Sequence, residues 1–351
     1  MAKIRLVPGQ LYFLREKDYL NSEISDYVKI GLVRNEKETE TRMKEHQTGN
    51  PRQILEIESL ESPMVENLET QMHHRFSEQW VTGEWFKMTD DEVKQAIAKA
   101  ESIIGEQQSV EDTISESYDL GDVKSNGRIV DPTDDYREAW QALVDLKYDL
   151  EVVRTRQKIV ERQLRAAMGT FAGIEGVVDF IEKTIADSFD KKKFIEEEPD
   201  IAAEYTSEEE KPVSGSFLLK NVRKLKDDDP NLKKELDANP ENKPAFSEVQ
   251  LGTELPITPD LTSLHANFLE FEDTIATLGW ECDMAEAKLK CMLGVNETIE
   301  GLCAWKRQSK TTEKFDTTQF KEDHPDLYGQ YIKPETSTYA VSVRPYRAYP
   351  F

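Results

Sequence analysis

The sequence predicts an α+β protein in which a small unit of strands and helices precedes a duplicated helical region. Two observations lead to this fold class. Short runs of aromatic and β-branched residues alternate with helical patterns over residues 1–105, and the chain beyond residue 130 repeats itself at a fixed spacing. With 351 residues, of which 32% are charged, the chain fits two or three modules better than one large core.

The N-terminal unit is expected to hold a short sheet with helices around it. Runs such as LYFLR and YVKIGL predict strands, and apolar residues at steps of four from Met64 to Phe76 predict a helix. The predicted strands are 11–15, 27–32, 53–60 and the EWFKM segment, and the predicted helices are 36–47, 64–77 and 90–105.

The region after this unit contains two copies of one pattern. Residues 163–180, QLRAAMGTFAGIEGVVDF, align with residues 288–305, KLKCMLGVNETIEGLCAW, at an offset of 125. Both copies continue with Phe-Asp-x3-Phe and Pro-Asp. The predicted segments are an acidic flexible linker at 106–130, repeat 1 at 131–226, a charged linker at 227–256 and repeat 2 at 257–351.

Each copy is predicted to begin with a helix of about 28 residues, which would be roughly 40 Å long. The apolar stripes of these helices are Leu143, Leu146, Leu150 and Val153 in the first copy and Phe268, Phe271, Ile275 and Leu278 in the second. Stripes of this kind are typical of paired helices. The helices either pack on each other within one chain or form the seam of a homo-oligomer or protein complex, which a monomeric mass in solution would exclude.

The composition excludes several classes of protein. A net charge of −24 argues against a broad basic surface for nucleic acid, so DNA binding is expected to be local, metal-assisted or delivered by a partner. No window approaches the roughly 20 apolar residues that span a bilayer, which predicts no membrane association and a cytoplasmic location. The three cysteines form no CxxC pair and are expected to be reduced thiols.

The N-terminal unit contains the residue types that phosphodiester hydrolysis requires, namely a base, a cation and a group that stabilises the leaving oxygen. The candidates are Tyr12, Lys29, Arg42, His46, Glu69, His73 and His74. Arg42 and His46 are four residues apart and share a helix face, as do Glu69 and His73. Lys29 lies in a predicted strand and points away from the face of its two neighbours. Each residue alone is typical of an ordinary polar surface.

The order of these residues carries a family resemblance. LYF at 11–13, VKIG at 28–31, the Arg42/His46 pair, the Glu69/His73 pair and GEWF at 83–86 together resemble the GIY-YIG nuclease superfamily. They are most similar to a short viral and bacterial branch that has KIG in place of YIG. The resemblance covers about residues 9–88, a quarter of the chain.

The resemblance implies a three-stranded antiparallel sheet flanked by helices and a site with one divalent ion, Mg²⁺ or Mn²⁺, on Glu69. It makes Tyr12 the first motif tyrosine and Arg42 the helix arginine that stabilises the phosphate. Lys29 stands where a second tyrosine is usual and is the expected base, while His46 and His73 are further catalytic candidates. Gln10 replaces the usual glycine of the first motif.

These features together predict a metal-dependent DNA endonuclease that acts in phage biology or anti-phage defence, with the repeats recognising substrate or partner. One alternative is a catalytically inactive domain of the same fold that binds nucleic acid or a partner. Another is a helical assembly protein in which the long helices carry the function.

The second repeat resembles the tail region of YqaJ-type phage exonucleases, in GLCAWKRQ and the later TYAVSVRPYR segment, but it lacks their nuclease core. Trp305, Lys306, Arg307 and Arg344, with Arg347 nearby, form a basic and aromatic patch that predicts nucleic-acid binding. The alternative is that Trp305 and Tyr339 are cross-strand core partners with the arginines at the rim.

Overall fold

The computed structural model describes residues 6–35, 39–241 and 246–345, with the backbone alone at Phe246. It is 50% helical and 27% strand, which confirms the α+β class. None of the helices in these ranges combines the length and apolar character required to cross a membrane. Arg347 lies outside the described residues.

The N-terminal unit is a five-stranded antiparallel sheet with three helices. Its elements are β1 (Gly9–Lys17), β2 (Ile24–Arg34), α1 (Thr39–Gln47), β3 (Gln53–Ser62), α2 (Val65–Arg75), β4 (Trp80–Thr82), β5 (Trp85–Lys87) and α3 (Asp90–Gly121). The strand order is β3-β1-β2-β5-β4. The three predicted strands and the EWFKM strand are all present, and α1 and α2 lie within the predicted helices 36–47 and 64–77. Residues 36–38 lie outside the described residues.

The sheet has two different faces because side chains alternate along each strand. Phe13, Val28 and Phe86 lie on one face and form the main core with α2 and α3. Tyr12 and Leu14 lie on the other face, where they pack with Met43 of α1. We call this second face the α1 face. It also carries Lys29 and Gly31, which pair with Leu14 and Tyr12 across β1 and β2.

Helix α3 replaces most of the predicted acidic linker. The prediction of a flexible segment at 106–130 is wrong for residues 106–121, which continue the helix that begins at Asp90. Ile114 is buried against Met64 and Trp280, so the polar stretch still supplies enough apolar contact to stay helical. Thr89 and Glu92 form a capping box at the start of this helix.

The repeat region places equivalent elements in the two copies. After β6 (Ile129–Val130), the first copy contains α4 (Asp134–Met168), β7 (Gly173–Ile174), β8 (Val178–Ile185), β9 (Ser188–Phe189), α5 (Lys191–Glu197), α6 (Pro199–Glu204), β10 (Thr206–Ser214) and β11 (Phe217–Leu219). Between the copies are α7 (Leu225–Asp228) and α8 (Pro230–Ala238). The second copy contains α9 (Pro259–Leu293), β12 (Thr298–Ile299), β13 (Cys303–Trp305), β14 (Gln308–Phe315), α10 (Thr317–Asp323), α11 (Pro325–Gln330), β15 (Ile332–Lys333) and β16 (Thr336–Val343).

Helices α4 and α9 pack against each other in opposite directions. Leu143 near the start of α4 contacts Leu289 near the end of α9, and Leu164 near the end of α4 belongs to the same cluster as Leu261 at the start of α9. The predicted stripes therefore pair within one chain, which is the first of the two interpretations. Each helix has 35 residues, longer than predicted.

The two copies exchange strands. Strand β8 of the first copy pairs with β16 of the second, and β10 of the first pairs with β14 of the second, both antiparallel. These two ribbons lead from the paired long helices to an aromatic cluster that contains Phe194 and Phe320, one from each copy. Neither copy completes its own ribbons, so the repeats form a single module.

The segment predicted as a charged linker at 227–256 is partly helical. Leu225 of α7 and Leu232 of α8 pack on Ile159 of α4. The α7 and α8 helices are thereby attached to the module, and the prediction of a simple linker is wrong for them. Residues 242–245 lie outside the described ranges.

Candidate functional site

Three of the candidate residues meet on the α1 face. The Tyr12 hydroxyl lies 3.1 Å from Nε2 of His46 and also accepts a hydrogen bond from the Arg42 guanidinium. Tyr12 comes from strand β1, which lies between β3 and β2, and the other two come from one face of α1. Because Arg42 and His46 are four residues apart on that helix, both side chains reach the Tyr12 hydroxyl oxygen. Arg42 is also paired with Glu45 at 2.6 Å.

Gly31 is required for this arrangement. A Cβ atom built on Gly31 would lie 2.6 Å from the Tyr12 oxygen and 2.7 Å from Cζ of the same ring. Real Cβ atoms do not approach other atoms that closely, so the tyrosine ring occupies the space above a residue that has no side chain. The glycine of VKIG therefore positions the tyrosine of LYF.

Lys29 is buried on the same face and is ion-paired with Glu84. Its ammonium also lies 5.9 Å from the centroid of the Trp85 ring. Sequence reasoning noted the GEWF block but gave Glu84 no role. In the pairing of β2 with β5, Lys29 is opposite Trp85, which brings the end of the β4–β5 hairpin to the lysine. The contact between Lys29 and Glu84 depends on this pairing, which the sequence does not reveal.

Glu69 and His73 lie on α2, on the other side of the sheet from α1. Glu69 is buried, and its charge acts on Tyr12. His73 Nε2 is 2.8 Å from the carbonyl oxygen of Ile30, and its ring packs 5.2 Å from that of Phe86. His73 thus holds the strand that carries Lys29 and Gly31. The neighbouring His74 is paired with Glu272 of α9 and links the sheet unit to the long helices.

Burial and charge set the protonation of the central pair. Burial, followed by the charge of Glu84, raises the pKa of Tyr12 well above its usual value, although the hydrogen bond from Arg42 opposes this. Burial, followed by the charges of Lys29 and Arg42, lowers the pKa of His46. At neutral pH the tyrosine is therefore a neutral phenol and the histidine a neutral imidazole. With Arg42 donating to the tyrosine oxygen, the phenol proton is directed to Nε2.

Residues 9–101 match the T5orf172 domain model. The T5orf172 domain is phage-associated and related to GIY-YIG and HNH-like nucleases. No curated protein and no solved structure matches the chain. The matched segment contains Tyr12, Lys29 and Glu69 and ends inside α3.

The matched segment supplies the carboxylate of Glu69 where the predicted metal ion would bind. Within residues 6–35, 39–241 and 246–345, no group of three or more His, Cys, Asp or Glu side chains is arranged to hold a metal. Magnesium is often held by one or two carboxylates, with water and substrate phosphate completing its ligands. A single buried glutamate on α2 fits that donor set, whereas a zinc site would need more protein ligands.

The patch predicted in repeat 2 does not form an exposed binding surface. Trp305 and Arg307 are buried, and Arg307 donates a hydrogen bond to the carbonyl oxygen of Gly294 at 2.7 Å. Arg344 forms a two-pronged pair with Asp179 at 2.6 and 2.8 Å. Lys306 is exposed, but by itself it makes no patch. These residues therefore do not form one exposed patch, because the two largest side chains are used for packing, and their role in nucleic-acid binding stays a prediction.

The alternative prediction, that Trp305 and Tyr339 are cross-strand partners, is wrong. Trp305 lies opposite Phe217 of β11, and the two rings meet edge to face at 6.2 Å. Tyr339 lies opposite Glu182 and stacks on Phe180 at 5.0 Å. The two aromatic residues belong to different sheets because the copies exchange strands.

Proposed function

We propose that the T5orf172 domain of this chain is a nuclease that hydrolyses nucleic-acid phosphodiesters, most readily DNA, on its α1 face. The observation that carries the proposal is the convergence of Tyr12, Arg42 and His46 at one hydroxyl, with Lys29 two residues along the strand from the glycine beneath it. These are the proton-transfer groups and cations that phosphodiester hydrolysis needs. The phage association of the matched family supports a role in phage biology or anti-phage defence.

The proton acceptor in this proposal is His46, acting through Tyr12. A neutral imidazole beside a phenol can receive the phenol proton while the phenol oxygen takes one from the attacking water. This differs from the expectation that Lys29 is the base. The ion pair of Lys29 with Glu84 favours a role as a buried cation that stabilises the charge developing on the phosphate.

Although α2 packs on the core face of the sheet, Glu69 is close enough to the α1-face site for its charge to act on Tyr12. Glu69 is therefore the residue that would hold Mg²⁺ or Mn²⁺, which would supply Lewis-acid stabilisation of the phosphate and leaving oxygen. Arg42 orients the phosphate from α1 while it also holds Tyr12. His73 keeps the β2 backbone in register through the Ile30 carbonyl, so it is a positioning residue.

The deciding experiment is cleavage of supercoiled plasmid and of single-stranded circular DNA with Mg²⁺ or Mn²⁺ by the full chain and by Glu69→Gln. We expect nicked or linear product from the wild type and a loss of about 10²-fold or more in the variant. Glu66→Gln is the matched control, because Glu66 lies on the same helix but pairs with Arg34. Absence of cleavage by both wild type and control would instead favour a domain that binds nucleic acid without cutting it.

A further inference from the structure

The α1 face continues beyond the candidate site as an aromatic and basic surface. Tyr27 and Lys87 pair across β2 and β5, next to the Lys29–Trp85 pair. Val28 and Phe86, which alternate with them, are fully buried in the core. The four side chains of the two pairs therefore all lie on the α1 face, and we call them the β2–β5 surface.

Apart from the buried Lys29, the β2–β5 surface is accessible, whereas the rest of the face is covered. Met43 of α1 packs over the part of the sheet formed by Tyr12, Leu14 and Ile54. Tyr27, by contrast, is 43% exposed, Lys87 is exposed and Trp85 is only partly buried. A large tyrosine with that exposure on a sheet face presents one side of its ring to solvent.

The arrangement matches what unpaired nucleotides need. Tyr27 and Trp85 are diagonal neighbours on adjacent strands, roughly 7–8 Å apart at the backbone. Bases of a single strand stack on such rings, and nearby cations contact the phosphates. Bases inside a duplex already stack on each other and offer only their edges. With a net charge of −24, the chain has little general attraction for duplex phosphates to rely on.

We propose that the β2–β5 surface binds unpaired nucleotides next to the phosphate to be cut, so that the substrate is single-stranded nucleic acid or a single-stranded segment of a larger one. This deepens the proposed function and rests on it for the position of the reacting phosphate. Trp85 and Tyr27 stack the bases, and Lys87 and Lys29 meet the backbone. Since Lys29 is paired with Glu84 and Arg42 with Glu45, which offset part of their charge, affinity comes mainly from stacking.

The test measures binding by fluorescence anisotropy with a labelled mixed-sequence oligonucleotide, single-stranded and as a duplex with its complement. The full chain is used in a chelator, so that no cleavage occurs. We expect tighter binding of the single strand and a weakening of about tenfold or more in Trp85→Ala, with a similar or smaller effect in Tyr27→Ala. With about three cations in contact, the slope of log affinity against log salt should be no steeper than about −2.

Two further variants, together with Tyr27→Ala, keep the result interpretable. Trp85→Phe retains a ring and should keep most of the affinity, which separates lost stacking from lost folding. Tyr118→Ala, at a residue of comparable 38% exposure on α3, should bind like the wild type. If Trp85→Ala fails to fold, Tyr27→Ala carries the test, since that side chain is largely outside the core.

Equal or tighter binding of the duplex, or unchanged affinity in the ring variants, would overturn this inference. Because binding is measured without metal, its outcome is separate from that of the cleavage assay. If the chain cuts DNA but its affinity does not depend on Trp85, the nuclease proposal is supported and the single-strand inference is contradicted. If the chain binds single strands through Trp85 but cleaves no substrate, the binding surface is supported and the nuclease proposal is contradicted.

Discussion

Lys29 shows how one buried side chain can distinguish two mechanisms. Its ammonium, which the ion pair with Glu84 holds in place, lies under the proposed phosphate position. We predict that Lys29→Arg keeps activity within about tenfold of the wild type, whereas Lys29→Met loses about 10²-fold or more. His46→Ala should lose about 10²–10⁴-fold. Initial rates of plasmid nicking measure all three, and an arginine variant as inactive as the methionine variant would restore Lys29 as the base.

Gly31 gives a prediction on stability. In Gly31→Ala the new methyl group overlaps the Tyr12 ring, which must move away from His46. We expect a loss of about 1–3 kcal/mol in the free energy of unfolding, measured by denaturant titration. Gly105→Ala is the control, because Gly105 is an exposed helical residue with open space around it. That change should stabilise by about 0.5–1 kcal/mol, and equal effects at both sites would contradict the packing argument.

The sequence predicted which side chains form the candidate site better than it predicted the chemical role of each one. Motif spacing selected Tyr12, Arg42 and His46, and the structure brings these three together. It did not select Glu84, since a carboxylate that reaches a lysine from another strand depends on a pairing register that spacing does not reveal. It wrongly grouped Trp305 with Arg307 as a surface patch, because a buried arginine that caps carbonyl groups has the same sequence pattern as an exposed one.

At the element scale, α9 connects all parts of the molecule. It packs on α4 within the module, contacts Met64 and Ile114 through Trp280, and holds Arg75 of α2 through Asp273 at 2.8 Å. Charged residues near these junctions are partly buried. The most affected is Asp283, whose pKa is raised to about 6 by burial and then by the charge of Glu286.

Asp283 therefore makes stability depend on pH. A carboxyl group whose folded pKa exceeds its unfolded value near 3.9 stabilises fully below about pH 4, and this contribution is lost as pH rises through about 6. We predict that the free energy of unfolding of Asp283→Asn, relative to that of the wild type, increases by about 2 kcal/mol when the pH is raised from 4 to 7. Denaturant titrations at both values measure it, with the exposed Glu281→Gln on the same helix as control. A difference that does not change with pH would contradict the prediction.

Elements were predicted well where apolar periodicity was strong and poorly where composition was used instead. The stripe from Met64 to Met72 gave α2, and the paired stripes gave α4 and α9. Acidic composition suggested a linker at 106–130, but Ile114 and Val110 of that stretch lie on one helix face and pack with Met64 and Trp280. Helix propensity and one buried stripe are sufficient, so a polar surface does not imply flexibility.

At the scale of the whole molecule, the duplication is a dimer joined into one chain. The repeats were visible in the sequence, but their strand exchange was not, since self-similarity does not say which copy a strand pairs with. Each ribbon contains one strand from each copy, and the long helices cross as equivalent partners.

A single copy should therefore pair with itself. We predict that a fragment of residues 131–241 forms a homodimer in which its β8 and β10 strands pair between chains. Light scattering measures the mass, and the module of residues 131–345, expected to be monomeric, is the control. A folded monomer of the single copy would contradict the interpretation of the module as a joined dimer.

The same strand exchange determines when the protein can finish folding during its synthesis. Arg344 and Asp179, which join β16 to the start of β8, are 165 residues apart in the chain. At about 5–20 residues per second, a ribosome needs on the order of 10–30 s to make that interval. During this time the N-terminal unit can already fold, while β8 and β10 remain with unpaired edges. The N-terminal unit thus folds first, and the nascent ribbons are the part most exposed to aggregation.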